Sequence, residues 1–234
     1  MSEWWTYRLS DFLLFSPETY YRLIGQYLRD VWPARMLWVV AGIGVTVALA
    51  RRKSVPGRPI IAVTAAAWLW VALAFHLQRY AAINWAATWF AAAFALEAML
   101  LCWSGVVRPG LRPDRASRLG RRVGLGLLVY AVVGQPLVDR LARGSWAGAG
   151  GFGLTPEPTA IATLGILLLA TGPRWLVFPI PLLWCLVGGA TLLALQAPDA
   201  WLILSGGLIA LLLWGWTARQ RRSGGAITPA AGRE

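Results

Sequence analysis

The sequence predicts an all-α membrane protein, a bundle of about seven transmembrane helices with an N-terminal amphipathic helix at the membrane interface. Of its 234 residues, 58% are hydrophobic and only 14% are charged, which leaves too little polar surface to cover a soluble protein of this size. The charged residues cluster between apolar stretches that are long enough, or nearly so, to cross a hydrocarbon layer about 30 Å thick. Basic residues also concentrate in alternate connections, as they do in multi-pass membrane proteins.

The first segment comprises residues 1–35. Its stretch "SPETYYRLIGQYLRDVW" predicts a helix with Ser16 as the N-cap and Pro17 as the first helical residue. Apolar residues recur on one face of this helix at helical spacing, namely Tyr20, Leu23, Ile24, Tyr27, Leu28 and Val31. Such a helix lies flat in the outer interface. Two roles fit this position: an anchor that packs on the bundle, or a lid over a substrate entrance.

Residues 36–218 form the predicted transmembrane bundle, and residues 219–234 a disordered cytoplasmic tail. The predicted spans share high hydropathy and low charge, and they cover residues 36–50, 59–77, 85–107, 123–138, 158–172, 175–196 and 200–218. The fifth span supplies only about 22 Å of helix, which is short for a membrane. Glycine pairs in the last two spans, Gly188 with Gly189 and Gly206 with Gly207, predict a close crossing of these two helices.

The basic residues predict an N-terminus outside and a C-terminus inside. The connections after the first, third and fifth spans, together with the tail, hold 15 of the 22 basic residues, and such loops stay cytoplasmic. Arginine supplies this charge almost alone, with Lys53 as the single lysine, which suggests a bacterium with GC-rich DNA. We therefore expect a protein of the bacterial cytoplasmic (inner) membrane. Its net charge of +12 lies next to lipid headgroups and does not indicate nucleic-acid binding.

Glu97 is the most informative polar residue, because the span 85–107 places its carboxyl near the middle of the bilayer. Ionisation at that depth costs roughly 2.5 kcal/mol or more, so that the carboxyl must be protonated or partnered. It either hydrogen-bonds a neighbouring helix as a neutral acid, or binds a proton or cation in a wet cavity during turnover. Glu97 is therefore a candidate proton site.

His76 and Asn84 flank the connection between the second and third spans. An imidazole that titrates near neutrality suits a proton relay, with Asn84 or Glu97 as the partner of His76. About 19 Å of helix separates Asn84 from Glu97, so a relay from His76 to Glu97 needs water or a kink.

Gln135 and Asp139 lie on either side of Pro136 and Leu137 near the outer end of the fourth span. A proline at this position predicts either a kink that frees a carbonyl group or the end of the helix. Both polar residues are candidates for a transport or proton site.

The stretch "GGFGLTPEPT", residues 150–159, places Glu157 between two prolines. With Thr155 as N-cap, both prolines fall in the first helical turn, where a missing N–H group costs no hydrogen bond, and Glu157 meets the positive end of the helix dipole. The stretch either simply begins a helix or forms a half-helix terminus that faces a cavity, as in transporters. In the second case Glu157 favours a proton, a cation or an amine.

The sequence predicts no metal site, no cofactor and no catalytic residue set. One histidine and two cysteines, Cys102 and Cys185, give no ligand spacing for zinc, haem or an iron–sulfur cluster. The two cysteines also lie at different depths, which disfavours a disulfide. No phosphate-binding loop, nucleophile elbow or dinucleotide fingerprint occurs.

Four stretches carry a resemblance to a known family: "WWTYRLSDFLLFSPETYYRL" (4–23), "HLQRYAAINWAATWFAAAFALEAMLL" (76–101), "FGLTPEPTAIATLGILLLA" (152–170) and "IPLLWCLVGGA" (180–190). Together they resemble a family of bacterial polytopic membrane proteins that is catalogued only as a domain of unknown function. The resemblance implies a small helical membrane bundle and no established activity. In the family's motif a cysteine tends to stand between the two prolines where this chain has Glu157, so the resemblance implies no thiol chemistry at this position.

Three function classes fit these observations. The first is a transporter or channel for a small solute or ion, with proton coupling at Glu97. The second is a structural or accessory subunit of a larger membrane complex, in which other subunits or further copies of the chain are partners besides the lipid bilayer. The third is an intramembrane enzyme acting on a lipid-soluble substrate, for which no two acid–base groups are yet placed at hydrogen-bond range.

Overall fold

The computed structural model describes residues 15–51, 57–108, 110–112 and 117–224, the side chains of 221–224 excepted. Residues 1–14 and most of the predicted disordered tail lie outside these ranges. Within them the structure is all-helical, as the sequence predicts, and it contains no strand beyond an isolated antiparallel bridge between Arg112 and Thr171. The α-helices of the described residues are α1 (Pro17–Asp30), α2 (Trp32–Ala50), α3 (Gly57–Trp70), α4 (Ala87–Leu101), α5 (Arg118–Val129), α6 (Gln135–Arg143), α7 (Pro156–Leu169), α8 (Pro179–Ala194) and α9 (Ala200–Gly224).

Five helical segments of the described chain are long and apolar enough to cross a membrane. They contain α2, α3, α4, α5 with α6, and α9, and they cover Trp32–Ala50, Gly57–Ala82, Ala87–Val107, Arg118–Arg143 and Ala200–Gln220. The helices at the fifth and sixth predicted spans, α7 and α8, have only 14 and 16 residues. Since a spanning helix needs about 20 residues, five membrane-length helices are established, and seven separate spans remain a prediction.

Three of the long segments contain a π-helical stretch, in which each N–H group reaches back five residues instead of four. These stretches follow α3, α4 and α5 and cover Val71–Leu77, Cys102–Val107 and Tyr130–Gly134. The third stretch ends two residues before Pro136. Its wider turn accommodates a residue that has no N–H group. The helix therefore runs through Pro136 into α6, and the alternative of a helix end at this proline is wrong.

Helix α1 packs on the bundle through its predicted apolar face. Its predicted cap is confirmed, since Ser16 Oγ accepts a hydrogen bond from Thr19 N at 3.3 Å and Pro17 begins the helix. The hydroxyl of Tyr27 donates to Leu154 O and accepts from Trp70 Nε1, both at 3.0 Å. Burial raises the pKa of Tyr27 to about 12, so this hydroxyl stays a donor at physiological pH. We call the end of the bundle that carries α1 the α1 end.

Helix α7 is the centre of the bundle. Residues 151–170 are all buried, and α7 packs against α3, α5, α8 and α9. The closest approach joins α7 to α5, where a methyl group on Gly124 would lie 2.6 Å from the carbonyl oxygen of Gly165. A helix that is apolar and buried on every side belongs in a core. The short α7 is thus enclosed by the other helices rather than exposed to lipid.

The predicted close crossing of the last two helices is confirmed. A methyl group on Gly189 of α8 would lie 2.5 Å from Leu204 Cδ2, and one on Gly207 of α9 would lie 2.8 Å from Cys185 Cβ. Small residues allow this approach, because a side chain at either position would hold the two helices apart.

We expect Gly124→Ala to destabilise the protein by about 1–3 kcal/mol, the usual effect of overpacking a tight contact. The added methyl group would press on the backbone of α7, which cannot move independently in the core. Gly126→Ala is the matched control, since Gly126 lies on the same helix and nothing lies within 4 Å of its methyl position. Thermal unfolding in detergent measures both, and an equal midpoint for the two variants would contradict the packing argument.

Candidate functional site

A buried polar group of side chains lies at the α1 end, around the first turn of α7. We call it the acidic cluster. Its members are Gln135, Asp139, Arg143, Glu157 and Asp199. They surround a cavity of about 20 Å³, which Tyr20 and Ile24 of α1 also line. Three carboxyl groups thus share one small cavity with one guanidinium group.

Helix α6 supplies three members of the acidic cluster from one face. Gln135, Asp139 and Arg143 follow one another at intervals of four residues, so they lie one above the next along the helix. Gln135 Nε2 donates to Asp199 Oδ2 at 2.6 Å and lies 3.4 Å from Asp139 Oδ1. Tyr130 donates to the amide oxygen of Gln135 at 2.6 Å. The amide therefore links two carboxyl groups that come from distant parts of the chain.

Asp139 is held from two sides. Its Oδ1 accepts a hydrogen bond from Arg143 Nη1 at 2.6 Å, and its Oδ2 accepts one from the backbone N–H group of Gly150 at 2.9 Å. The guanidinium of Arg143 also lies over the ring of Tyr21 on α1, 4.3 Å from its centroid. Arg143 therefore makes a charge-assisted hydrogen bond to Asp139 and a cation–π interaction with Tyr21. Arg143 thus connects the cluster to α1.

Glu157 enters the cluster from the first turn of α7. The predicted start of this helix is confirmed, with Thr155 as an extended N-cap residue and Pro156 in the first turn. The side chain of Glu157 is buried and lies beside Gly188 of α8. No ion pair of Glu157 occurs among the described residues. The helix dipole, the backbone at the start of α7 and the nearby indole of Trp184 favour a negative charge at this position.

Asp199 completes the acidic cluster from the turn before α9. It is 2% exposed, and its Oδ1 has no hydrogen-bond partner among the described residues. The described residues contain no group of three or more His, Cys, Asp or Glu side chains arranged to hold a metal ion. The cluster is therefore a group of buried carboxyl side chains, each of which can take up a proton.

His76 lies outside the cluster, in the π-helical stretch after α3. Its ring is fully buried among aromatic rings, and no described residue forms a hydrogen bond with either ring nitrogen. The ring centroids of Phe94 and Trp184 are 4.6 Å and 5.1 Å away. The Oδ1 atom of Asn84 accepts a hydrogen bond from Ala86 N at 3.0 Å in the turn before α4.

Glu97 is fully buried on α4, one turn beyond Phe94. Neither of its carboxyl oxygens has a hydrogen-bond partner among the described residues. The structure thus brings Gln135, Asp139 and Glu157 together, and it leaves His76 and Glu97 without a direct hydrogen bond to each other.

Sequence reasoning missed two members of the acidic cluster and one neighbour. The spacing of four residues from Asp139 to Arg143 was a usable signal, because it predicts a pair on one helix face. Asp199 gave no local signal, since only the packing of α9 against α7 brings it to the cavity. Trp184 resembled an ordinary aromatic residue of a helix core.

The chain was compared with known families, proteins and structures. It matches no curated protein and no solved structure. Residues 17–224 match a family described as "Family of unknown function (DUF6064)". Because the match covers most of its length, the chain belongs to this family.

Proposed function

We propose that this member of a family of unknown function is a transporter or channel of the bacterial inner membrane, which moves protons or a small monovalent cation through the acidic cluster. The observation that supports this proposal is the enclosure of three carboxyl groups and one guanidinium around a single small cavity. Buried charges of this kind are rare in membrane proteins and commonly mark ion or proton pathways.

The charge balance of the acidic cluster favours a positively charged occupant. Arg143 compensates Asp139, while Gln135 donates one hydrogen bond to Asp199 without supplying charge. Glu157 has no cationic partner among the described residues, only the dipole and backbone of α7 and the nearby indole of Trp184. Burying an uncompensated carboxylate costs several kcal/mol. A bound proton or cation at Glu157 and Asp199 removes this cost, whereas an anion would increase it.

The size of the cavity narrows the class of substrate. A volume of about 20 Å³ is enough for about one water molecule. A sugar, an amino acid or a nucleoside does not fit this state of the protein. A proton, a hydronium ion or a dehydrated monovalent cation does.

The predicted orientation gives the pathway a direction. With the N-terminus outside, the α1 end and the acidic cluster face the outer surface, and Tyr20 and Ile24 of α1 cover the cavity as a lid. Glu97 then lies deeper, as a second proton-binding group. The enclosed start of the short α7 resembles the broken helices from which transporters build their sites.

Proton uptake by liposomes tests this function. The purified protein is reconstituted with a trapped pH-sensitive dye, and a potassium diffusion potential of either sign drives protons across the membrane. We expect uptake above that of protein-free liposomes, and a large reduction in Asp199→Asn, because the neutral amide cannot take up a proton. Glu18→Gln is the matched control, since Glu18 is an exposed carboxylate on α1. No flux of protons, sodium, potassium or methylammonium in wild-type liposomes would overturn the proposal.

We expect Glu97→Leu to stabilise the protein and to impair conduction. Both oxygens of Glu97 are buried without a partner in the described part of the chain, and an unsatisfied polar group costs about 1–3 kcal/mol. A leucine of similar size removes this cost but cannot carry a proton. Thermal unfolding and proton uptake are measured on the same preparation. A variant that conducts like the wild type would take Glu97 out of the pathway.

An accessory subunit of a membrane complex is the second candidate. Helix α2 favours this candidate, because only 17% of the most apolar part of the helix is buried against the rest of the chain. Such an exposed helix is free to pack on a partner. The mass of the protein extracted from its native membrane in mild detergent tests this candidate: a stoichiometric partner supports it, and the mass of the lone chain contradicts it.

A further inference from the structure

Two buried side chains outside the acidic cluster have unused hydrogen-bonding groups, and their rings are in contact. Within the described ranges, His76 has no hydrogen-bond partner for either ring nitrogen, and Trp184 of α8 has none for its indole N–H group. Their ring centroids are 5.1 Å apart, and the exposed fractions are 0% for His76 and 7% for Trp184. An unmatched buried donor or acceptor is costly, and a bound water molecule is the usual way in which proteins satisfy it.

Trp184 also borders the acidic cluster. The methyl position of Gly188 lies 3.1 Å from Glu157 Oε1 and 3.2 Å from Trp184 Nε1. The carboxyl and indole groups are therefore no more than about 6.3 Å apart and interact with each other, although the indole N–H group makes no direct hydrogen bond to a described residue. A water molecule that contacts both groups would accept a hydrogen bond from the indole and connect it to the carboxyl group. Trp184 thus lies between Glu157 and His76.

We propose that His76 receives the proton that leaves Glu157, through water held by the indole N–H group of Trp184. This inference rests on the proposed function and extends it by one step. The O–H bond of Glu157 breaks as the water takes its proton, and the water passes a proton to the unprotonated ring nitrogen of His76. The products are a Glu157 carboxylate and a His76 imidazolium. The imidazolium then releases the proton from its other nitrogen toward Glu97.

The surroundings of His76 keep the imidazole neutral at rest, because a buried charge without a partner is costly, so a positive charge on the ring is short-lived. The rings of Phe90, Phe94 and Trp184 contact the imidazole at interplanar angles between 65° and 75°. The titratable groups on the neighbouring elements are Tyr80, 6.0 Å away by ring centroid, Glu97 on α4, Cys185 on α8 and Glu157 on α7. Cys185 packs against Gly207 of α9, which leaves the two carboxyl groups as the proton donor and acceptor.

Nuclear magnetic resonance of the ring nitrogens tests the inference directly, because His76 is the single histidine of the chain. The protein is labelled with ¹⁵N-histidine and placed in lipid vesicles, and magnetisation transfer from water to the ring is measured. We expect transfer in the wild type and its loss in Trp184→Phe. Trp68→Phe is the matched control, since Trp68 also packs on Phe94 but donates its N–H group to Thr163. Absence of transfer in the wild type, or equal transfer in both variants, overturns the inference.

Proton uptake by liposomes separates this inference from the proposed function. His76→Phe keeps an aromatic ring among Phe90, Phe94 and Trp184 and removes both ring nitrogens. We therefore expect this variant to fold, and its proton flux to fall to that of protein-free liposomes. Undiminished flux in this variant overturns the role of His76 and leaves the acidic cluster as the conducting site. A wild-type protein that conducts no protons overturns the proposed function and this inference with it.

Discussion

Glu157→Gln is expected to reduce proton or cation flux to the level of protein-free liposomes. Glu157 is the one carboxyl group of the acidic cluster that sits between the cavity and Trp184, and it has no charged partner among the described residues. The amide has almost the same size as the carboxyl group, so the packing beside Gly188 is kept. It cannot release a proton, and it does not attract a cation. The flux assay described for Asp199→Asn measures this effect.

Two further measurements make this result interpretable. The exposed control Glu18→Gln should conduct like the wild type, and the thermal midpoint of Glu157→Gln should stay at or above that of the wild type, because a neutral group is cheaper to bury than a carboxylate. Full flux in a folded Glu157→Gln protein would contradict conduction through the acidic cluster.

Arg143→Met is expected to cost about 3 kcal/mol of stability, the magnitude found when one partner of a buried ion pair is removed. The change leaves Asp139 with the Gly150 amide but without its guanidinium. It also removes the cation that lies over Tyr21, and so loosens α1 from the bundle. Chemical unfolding of the detergent-solubilised protein measures the loss.

A double variant shows whether the loss of stability in Arg143→Met arises from the Asp139 carboxylate, which no longer has a guanidinium partner. Adding Asp139→Asn to Arg143→Met removes the uncompensated charge, so we expect it to restore part of the lost stability, as non-additive effects of a contacting pair require. Arg22→Met on the exposed face of α1 is the control for loss of an arginine. If that control were as destabilised as Arg143→Met, the ion pair would not explain the effect.

The individual helices were predictable because their signals are local. Ser16 with Pro17, and Thr155 with Pro156, begin helices where the capping rules place them. The glycine pairs of α8 and α9 predicted a close crossing of the two helices, since glycine in an apolar helix allows a neighbouring helix to approach closely. The passage of the helix through Pro136 was less predictable. It depends on the π-helical stretch Tyr130–Gly134, which no local sequence pattern predicts.

The site was predictable only in part. Gln135, Asp139 and Glu157 were recognised one at a time, as polar residues near the ends of apolar stretches. Their common cavity could not be foreseen, because it is formed by α1, α6, α7 and the turn before α9. Glu97, to which the sequence pointed first, lies apart from this cluster.

The sequence by itself determined the class of the molecule, the position of its helices and the need for some compensation of its buried acids, because hydropathy, capping and charge act over a few residues. Only the tertiary structure decided which acids meet. Residues 139, 157 and 199 come together because the short α7 is enclosed by longer helices, so that the turns at the α1 end close over its first turn. Contacts between residues far apart in the chain depend on this packing, and no local pattern encodes it.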